Sequence, residues 1–486
     1  MGIIFKVWLA KLIGSEGIGL YQLVFSVYIL AATFATSGIC TAVTRLVAEE
    51  LALGSKNGTL KILRRAVELT LIIAAATVVI LFFGAEFIAS RFLGDMRAVP
   101  ALKILPLSLP FMGISSCLRG YFIARRKITP NAVSQLFEQA VRILIVVLLV
   151  KKFYSKGLSF TCGAVLFGDC AAEICSFLML FAIWWADKSR LGGLCGRKIP
   201  PYGVVRRILH ISVPITSGRY LNTALRTGEN ILVPKNLAKY PFSGDSALSQ
   251  FGMIKGMALP ILFFPSTLLN SISTLLIPEM SEAAARGRKN LVKAATRNIL
   301  KMTAVLSFIF AALFFVAGRE IGMLIYGSED VGKLLRALSP IVPLMYLDSI
   351  SDGILKGLDQ QSFSFKTAVS DSVIRIILIL ILLPISGLKG FILIMYFSNV
   401  LTCLLNVGRL LKVSGAKLYI IRELVIPTLL SFSVVTLMDR VFSGLSSISN
   451  LVYIILICVF SVILYVLGLL AFKIVNPDEI RNFIKR

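Results

Sequence analysis

Histidine is almost absent from this chain: His210 stands alone among 486 residues. With so little imidazole, and no nucleophile motif, acid–base and covalent catalysis lack their usual instruments, and an enzyme is not expected. No G-x-x-x-x-G-K-[ST] run occurs, so a phosphate-cradling loop for nucleotide-driven transport is excluded as well. The eight cysteines (Cys40, Cys117, Cys162, Cys170, Cys175, Cys195, Cys403 and Cys458) fall mostly inside apolar runs without metal-type spacing. Even Cys170 and Cys175, five apart, read as small core residues, so neither a metal nor another cofactor is expected. Charge is scarce too, at 16% of residues against about a quarter in soluble domains.

What fills the chain is hydrocarbon: 57% of residues are hydrophobic and mean hydropathy is +0.86. Runs such as 69–85, 302–316 and 451–472 approach the roughly 20 residues that carry a helix across a bilayer. Ten-residue alternating segments, the signature of an outer-membrane barrel, are missing. The expected fold is therefore all-α: a polytopic membrane protein with about 14 transmembrane helices. The spans fall near 1–13, 18–44, 66–88, 100–124, 130–150, 158–186, 204–233, 248–279, 297–325, 334–358, 364–384, 387–408, 420–438 and 448–472.

The net charge of +26 suggests nucleic acid, but the cations are dispersed over many short loops with no basic amphipathic segment or RNA-binding motif, so no nucleic-acid partner is expected. Topology accounts for them. Lys and Arg in alternate connections (45–65, 125–127, 187–207, 286–301, 356–366, 409–422, 473–486) number 30, against 13 in the opposite set. The positive-inside rule puts the first set and the C-terminus in the cytoplasm, and fourteen spans put the N-terminus there too.

The chain repeats itself with an offset of 233. VAEELALGSKN (47–57) answers MSEAAARGRKN (280–290), ALKILPLSLPFM (101–112) answers LLRALSPIVPLM (334–345), and Glu138-x-x-x-Arg142 answers Asp371-x-x-x-Arg375. An offset of six helices keeps both copies in the same orientation, as in transporters built from parallel repeats. The expected organisation is an N-terminal six-helix lobe over 1–190, a second lobe over 204–412, and an extra helix pair with a cytoplasmic tail over 418–486. Comparison of span 204–233 with its partner 1–13 suggests that about fifteen residues of the first helix precede Met1. No basic leader or small-x-small cleavage site marks the start as a signal peptide.

Eight cations lie within or beside spans: Lys6, Lys11, Arg119, Arg142, Arg219, Arg226, Lys255 and Arg375. Each costs at least about 2.5–3.5 kcal/mol to insert, so such groups face a bundle interior or water. Glu138 with Arg142, and Asp371 with Arg375, have the favourable acid-first i,i+4 order and read as structural ion pairs. Arg226 has Glu229 three residues on, and Lys356 has Asp352 four back. Lys6, Arg219 and Lys255 have no acid at helical spacing and are candidates, with Arg226, for binding an anionic substrate. Lys11 and Arg119 can instead snorkel to the outer and cytoplasmic surfaces. Asp169, Glu173, Asp348 and Asp352 are candidates for proton or sodium coupling. Pro106, Pro110, Pro214, Pro260, Pro265, Pro340 and Pro343 punctuate four spans and are expected to bend them, either as fixed kinks or as hinges.

IGSEGIGLYQL (13–23), LRGYFIARRKITPNAVSQLFEQAVRI (118–143), SVPITSGRYL (212–221) and IPEMSEA (277–283) resemble the stage V sporulation protein B family of polysaccharide-type flippases. That family belongs to the multidrug/oligosaccharidyl-lipid/polysaccharide exporter superfamily, alongside the lipid II flippases. The resemblance covers essentially the whole chain and implies fourteen helices in two six-helix lobes plus a final pair. It also implies flipping of an undecaprenyl-pyrophosphate-linked glycan across the plasma membrane, with spore cortex as one destination and with membrane lipids and cell-wall synthases as partners. A cavity-lining basic residue of the first helix corresponds to Lys6, a lysine where arginine is usual, and Arg219 matches an arginine of the branch. Lys255 matches no family-wide basic position. Two other readings stand beside the flippase: an ion-coupled multidrug exporter, which would favour acidic cavity residues, and a non-transporting scaffold for cell-wall enzymes.

Overall fold

The computed structural model describes residues 2–36, 38–153, 158–189, 201–241, 246–443 and 449–475. The readings that fall on Cys195, on residues 154–156, on 190–200 of the basic connection and on the tail from 476 lie outside the described residues. Among those described there is no strand. In hydrocarbon every backbone N–H and C=O must be satisfied within the segment, which a helix does and an open strand does not.

The helices follow in order: α1 (Gly2–Thr36), α2 (Ile39–Ala52), α3 (Lys56–Phe87), α4 (Val99–Ile104), α5 (Leu109–Ala124), α6 (Thr129–Phe153), α7 (Leu158–Ser189) and α8 (Pro201–Leu237). Then come α9 (Ala247–Phe251), α10 (Leu259–Phe263), α11 (Ser266–Ala285), α12 (Lys289–Val316), α13 (Gly318–Tyr326), α14 (Glu329–Leu338), α15 (Val342–Gly357), α16 (Gln361–Ser414), α17 (Ile426–Ser443) and α18 (Asn450–Ala471). Among the described residues nine helical stretches are long and apolar enough to cross a bilayer. The number is below fourteen for identifiable reasons. Residues 364–384 and 387–408 share α16, which breaks inside at Gly387. The 334–358 span carries Arg336, Asp348, Asp352 and Lys356, which lower its apolar content. The 37-residue α8 is long enough, but Arg219, Arg226 and Glu229 interrupt its apolar length.

Helices also run further than the apolar spans. The connection read as 45–65 is mostly α2 and α3, with Ser55 capping α3 by accepting from the Gly58 N–H at 3.0 Å. The charges there extend the helix through i,i+4 pairs, Arg45–Glu49 at 3.2 Å and Arg64–Glu68 at 2.9 Å. Likewise α12 begins at Lys289, well inside the connection read as 286–301.

The 233 offset is present in the backbone. Left-handed residues recur in register: Gly54 and Gly287, Gly94 and Gly327, Arg126 and Asp359. The next residues Asp95 and Ser328 are both side-chain caps, and 3-10 turns at Leu105–Ser108 and Ser339–Ile341 interrupt corresponding helices. These turns hold Pro106 and Pro340, while Pro110 and Pro343 stand in the first turns of α5 and α15. Pro106 and Pro110 thus lie within the uninterrupted helical stretch Met96–Ala124, where local 3-10 turns accommodate the missing N–H, and Pro214 lies inside α8.

The chain packs as two compact units, Met1–Phe5 with Glu16–Lys235, and Lys6–Ser15 with Asn236–Arg486. In the first, Ala42, Val43, Ala66, Cys117, Tyr121 and Phe122 are fully buried where α2, α3 and α5 meet. Small side chains let the backbones approach, the usual route to helix packing where lipid is as apolar as the core. Buried hydroxyls close on their own helix, as Thr70 does on the Ala66 carbonyl at 2.7 Å. In the second unit, the C-terminal helices are fastened to α12 by Arg297, which donates to the buried Glu423 at 2.6 and 2.9 Å, and by Tyr465, which donates to the Val305 carbonyl at 3.0 Å.

Candidate functional site

Helix α8 is held on one side by polar contacts to α1 and by a close approach to α2. Thr227 donates to the Ser26 carbonyl at 3.0 Å, Asn230 donates to Ser26 Oγ at 2.9 Å, and Tyr220 meets Phe34 edge-on at 5.6 Å. A β-carbon at Gly38 would lie 2.5 Å from the Ser212 carbonyl oxygen, so the backbones nearly touch there. Arg219 and Arg226 are seven residues apart, two helical turns, and therefore share one stripe; both are exposed, while Glu229 beyond them is buried.

Lys6 and Lys255 belong to the second unit. Its Lys6–Ser15 segment lies within α1 and contains a break, since Gly14 has φ 71° and ψ 178°. Ser15 Oγ and Ser249 Oγ lie 2.6 Å apart, and Lys11 Nζ is 3.5 Å from the Leu324 carbonyl. Lys6 and Lys11 are exposed. Lys255 is half-buried in a π-helical stretch, Gly252–Ala258, where the widened turn displaces side chains from the α-helical register.

A connected ionic network occupies the first unit. Arg142 pairs with Glu138 at 2.8 Å and with Asp169 of α7 at 2.9 Å, and Arg119 of α5 reaches Glu138 at 3.4 Å. Tyr21 of α1 donates to Asp169 at 3.2 Å. Four helices thus meet through charge, and Glu138 and Asp169 are both buried. Arg119, expected to snorkel towards the cytoplasm, turns inward instead, because an acid pair in hydrocarbon draws any cation that can reach it. Glu173, one turn beyond Asp169, is half-buried, and its Oε2 has no hydrogen-bond partner.

The second unit handles the equivalent positions with neutral groups. Asp371 accepts from Ser398 at 2.6 Å, and its separation from Arg375 is 4.0 Å. Asp348 accepts from Asn406 at 2.8 Å, and Asp352 pairs with Lys356. Asp348 and Asp352 share a helix face, yet each has its own donor.

Two clusters escaped the reading of single segments. Asp187 at the end of α7 gathers Tyr121 at 3.0 Å, Lys127 at 2.6 Å and Arg125, closing the α5–α6 turn onto α7. Lys301, counted with a cytoplasmic connection, is 6% exposed and donates to the Ile474 carbonyl at 3.3 Å, capping the end of α18. The signal for both was a charge close to a span boundary, which positive-inside counting absorbs without comment.

Comparison with known proteins agrees with the motif resemblance. Residues 1–239 match the family described as Polysaccharide biosynthesis protein. Over 99% of this chain and 94% of the relative, the sequence is 27% identical to stage V sporulation protein B of Bacillus subtilis (strain 168). It is 22% identical to Lipid II flippase MurJ of the same organism, over 81% of this chain and 76% of the relative. Among solved structures, Lipid II flippase MurJ in an inward closed conformation superimposes with TM-score 0.71 at 16% identity, covering 97% of this chain and 96% of that one. An inward-facing MATE family multidrug resistance transporter of the MOP superfamily gives TM-score 0.66 at 14% identity, covering 86% and 95%. The polytopic all-helical fold is common to this chain and the two solved structures.

Proposed function

We propose that this chain, similar to stage V sporulation protein B over 99% of its length and to Lipid II flippase MurJ over 81%, is itself a membrane flippase. Its cargo on this reading is an undecaprenyl-pyrophosphate-linked glycan or peptidoglycan precursor, moved across the cytoplasmic membrane by alternating access. The observation that carries the reading is the exposed arginine stripe of α8, Arg219 and Arg226, in a helix otherwise fastened by polar contacts. A diphosphate is the chemical match: guanidinium forks bind phosphate oxygens in pairs, and charge-assisted bonds are about twice as strong as neutral ones. Lys6 and Lys255 are further candidate point charges for an anionic group, and the polyprenyl chain stays in lipid. A multidrug exporter for cationic compounds would need acids where these cations stand.

The test is reconstitution of the protein in liposomes with a labelled lipid-linked precursor, scoring exposure to an enzyme added outside. Transport should exceed that of empty vesicles, and Arg219→Gln should lower it at least about tenfold, the equivalent of one charge-assisted contact. Transport equal to empty vesicles would end the flippase reading. Undiminished transport by Arg219→Gln, Arg226→Gln and Lys6→Gln together would remove these residues from the site.

A further inference from the structure

Helix α8 carries polar side chains through the middle of its length, and they fall into two sets. Thr227 and Asn230 are engaged with Ser26 of α1, Thr223 donates to the Arg219 carbonyl at 2.9 Å, and Ser217 donates to the Pro214 carbonyl at 3.0 Å. Thr216 and Glu229 have partners as well. The other set is Arg219, Asn222 and Arg226, whose side chains make no hydrogen bond or ion pair among the described residues. Arg219 stands at the midpoint of Pro201–Leu237, the depth at which transporters built from repeats bind substrate. Asn222 is half-buried, and its amide costs free energy at that depth unless water or a ligand meets it.

Helical geometry keeps these three together and apart from the rest. At about 100° per residue, Arg219 and Arg226 lie about 20° apart around the axis, and Asn222 lies about 60° to one side of Arg219. Tyr220 and Thr227, which meet α1, lie about 80–100° to the other side. Asn222 is three residues past Arg219 and four before Arg226, so its β-carbon is about 5–6 Å from that of each. We propose that Asn222 reads the first sugar of a lipid-linked glycan whose diphosphate lies on Arg219 and Arg226. The assignment rests on the diphosphate reading of those two arginines.

The chemistry of the cargo matches that spacing. In a glycosyl diphosphate the first sugar is joined to the distal phosphate through one oxygen, so the substituents of its ring lie about 5 Å from the phosphorus, close to one helical turn. A side-chain amide presents one acceptor oxygen and two N–H donors in a plane. Neighbouring positions of a sugar ring offer the complement: a hydroxyl or acetamido N–H that donates, and an oxygen that accepts. A further cation at this position would tighten the hold on any polyprenyl phosphate, whatever it carries. A neutral amide instead gives selectivity, because a lipid lacking the sugar leaves it unpaired.

The experiment compares the affinity of the solubilised protein for two probes, undecaprenyl diphosphate and the same lipid bearing one N-acetylglucosamine, by native mass spectrometry. The unmodified protein should bind the sugar-bearing probe about tenfold more tightly, and Asn222→Ala should bring that ratio to about one by weakening the sugar-bearing probe. The ratio is taken within each variant, so a loss of folded protein does not imitate the effect. Arg219→Gln should weaken both probes and keep the ratio. No preference for the sugar in the unmodified protein would overturn the assignment. So would an Asn222→Ala variant that weakens both probes alike, because the amide would then be holding phosphate or the helix. If Asn222→Ala removes the preference while Arg219→Gln alters neither probe, the sugar contact stands and the diphosphate reading of Arg219 fails.

Discussion

Arg142 holds two carboxylates, Glu138 at 2.8 Å and Asp169 at 2.9 Å, with its side chain only 21% exposed. Removing it leaves Asp169 without a cation and Glu138 with only Arg119 at 3.4 Å, and breaking a buried pair in this way costs about 3–5 kcal/mol. Arg142→Ala should therefore lower the thermal midpoint of the solubilised protein well below that of Arg64→Ala, whose pair with Glu68 is 82% exposed on the arginine side and worth less than about 1 kcal/mol. Equal losses would mean that the network is not a brace. At this scale half the network was legible. Glu138 and Arg142 are one helical turn apart, and the spacing announces them. Asp169 lies 27 residues further on another helix, and nothing in its neighbours points to Arg142.

Among the helices, the breaks carry the sharpest expectations. Gly14 and Gly387 interrupt α1 and α16 with positive φ and extended ψ, a region essentially confined to glycine that costs an L side chain on the order of 1–3 kcal/mol. A β-carbon at Gly14 would meet nothing within 4 Å, whereas at Gly387 it would lie 2.6 Å from the Tyr240 ring. Gly14→Ala should thus cost only the backbone term and Gly387→Ala more. In a double-mutant cycle Tyr240→Ala should relieve the excess at Gly387, read as a midpoint shift in thermal unfolding. No coupling would show that the ring yields freely. The C-terminal pair gives a further case. Glu423 is 1% exposed, accepts twice from Arg297 and also accepts from the Tyr419 N–H at 3.0 Å. Glu423→Ala should destabilise by about 3–5 kcal/mol; unfolding at the unmodified midpoint would refute the anchor. The breaks fall at or next to the short gaps read between apolar runs, 14–17 and 385–386, but the extension of α2, α3 and α12 beyond those runs was not legible, because charged helical turns look like loops to a hydropathy count.

For the whole molecule, the excess of cations in alternate connections predicts which ends meet the cytoplasm. Single cysteines placed in a background without native ones should separate cleanly. Asp330→Cys, in the outward set, should react with an impermeant maleimide added to intact cells, and Lys289→Cys, in the inward set, only after the membrane is opened. Labelling of both, or of Lys289→Cys alone, would reverse or abolish the orientation.

Length of apolar runs, the helical requirement of hydrocarbon, the asymmetry of Lys and Arg, and the 233 offset were all determined by the sequence alone, because each is a property of one segment or of segments compared in register. Tertiary structure decided which charge meets which: Arg142 with Asp169, Arg119 with Glu138, Arg297 with Glu423. It also assigned Lys6–Ser15 to the second unit and α8 up to Lys235 to the first. The physical reason is that a membrane helix is apolar on nearly every face, so its pattern carries little information on direction. Which face turns inward is settled by small-residue packing and by the need of each buried charge for a partner, and both depend on helices far away in the chain.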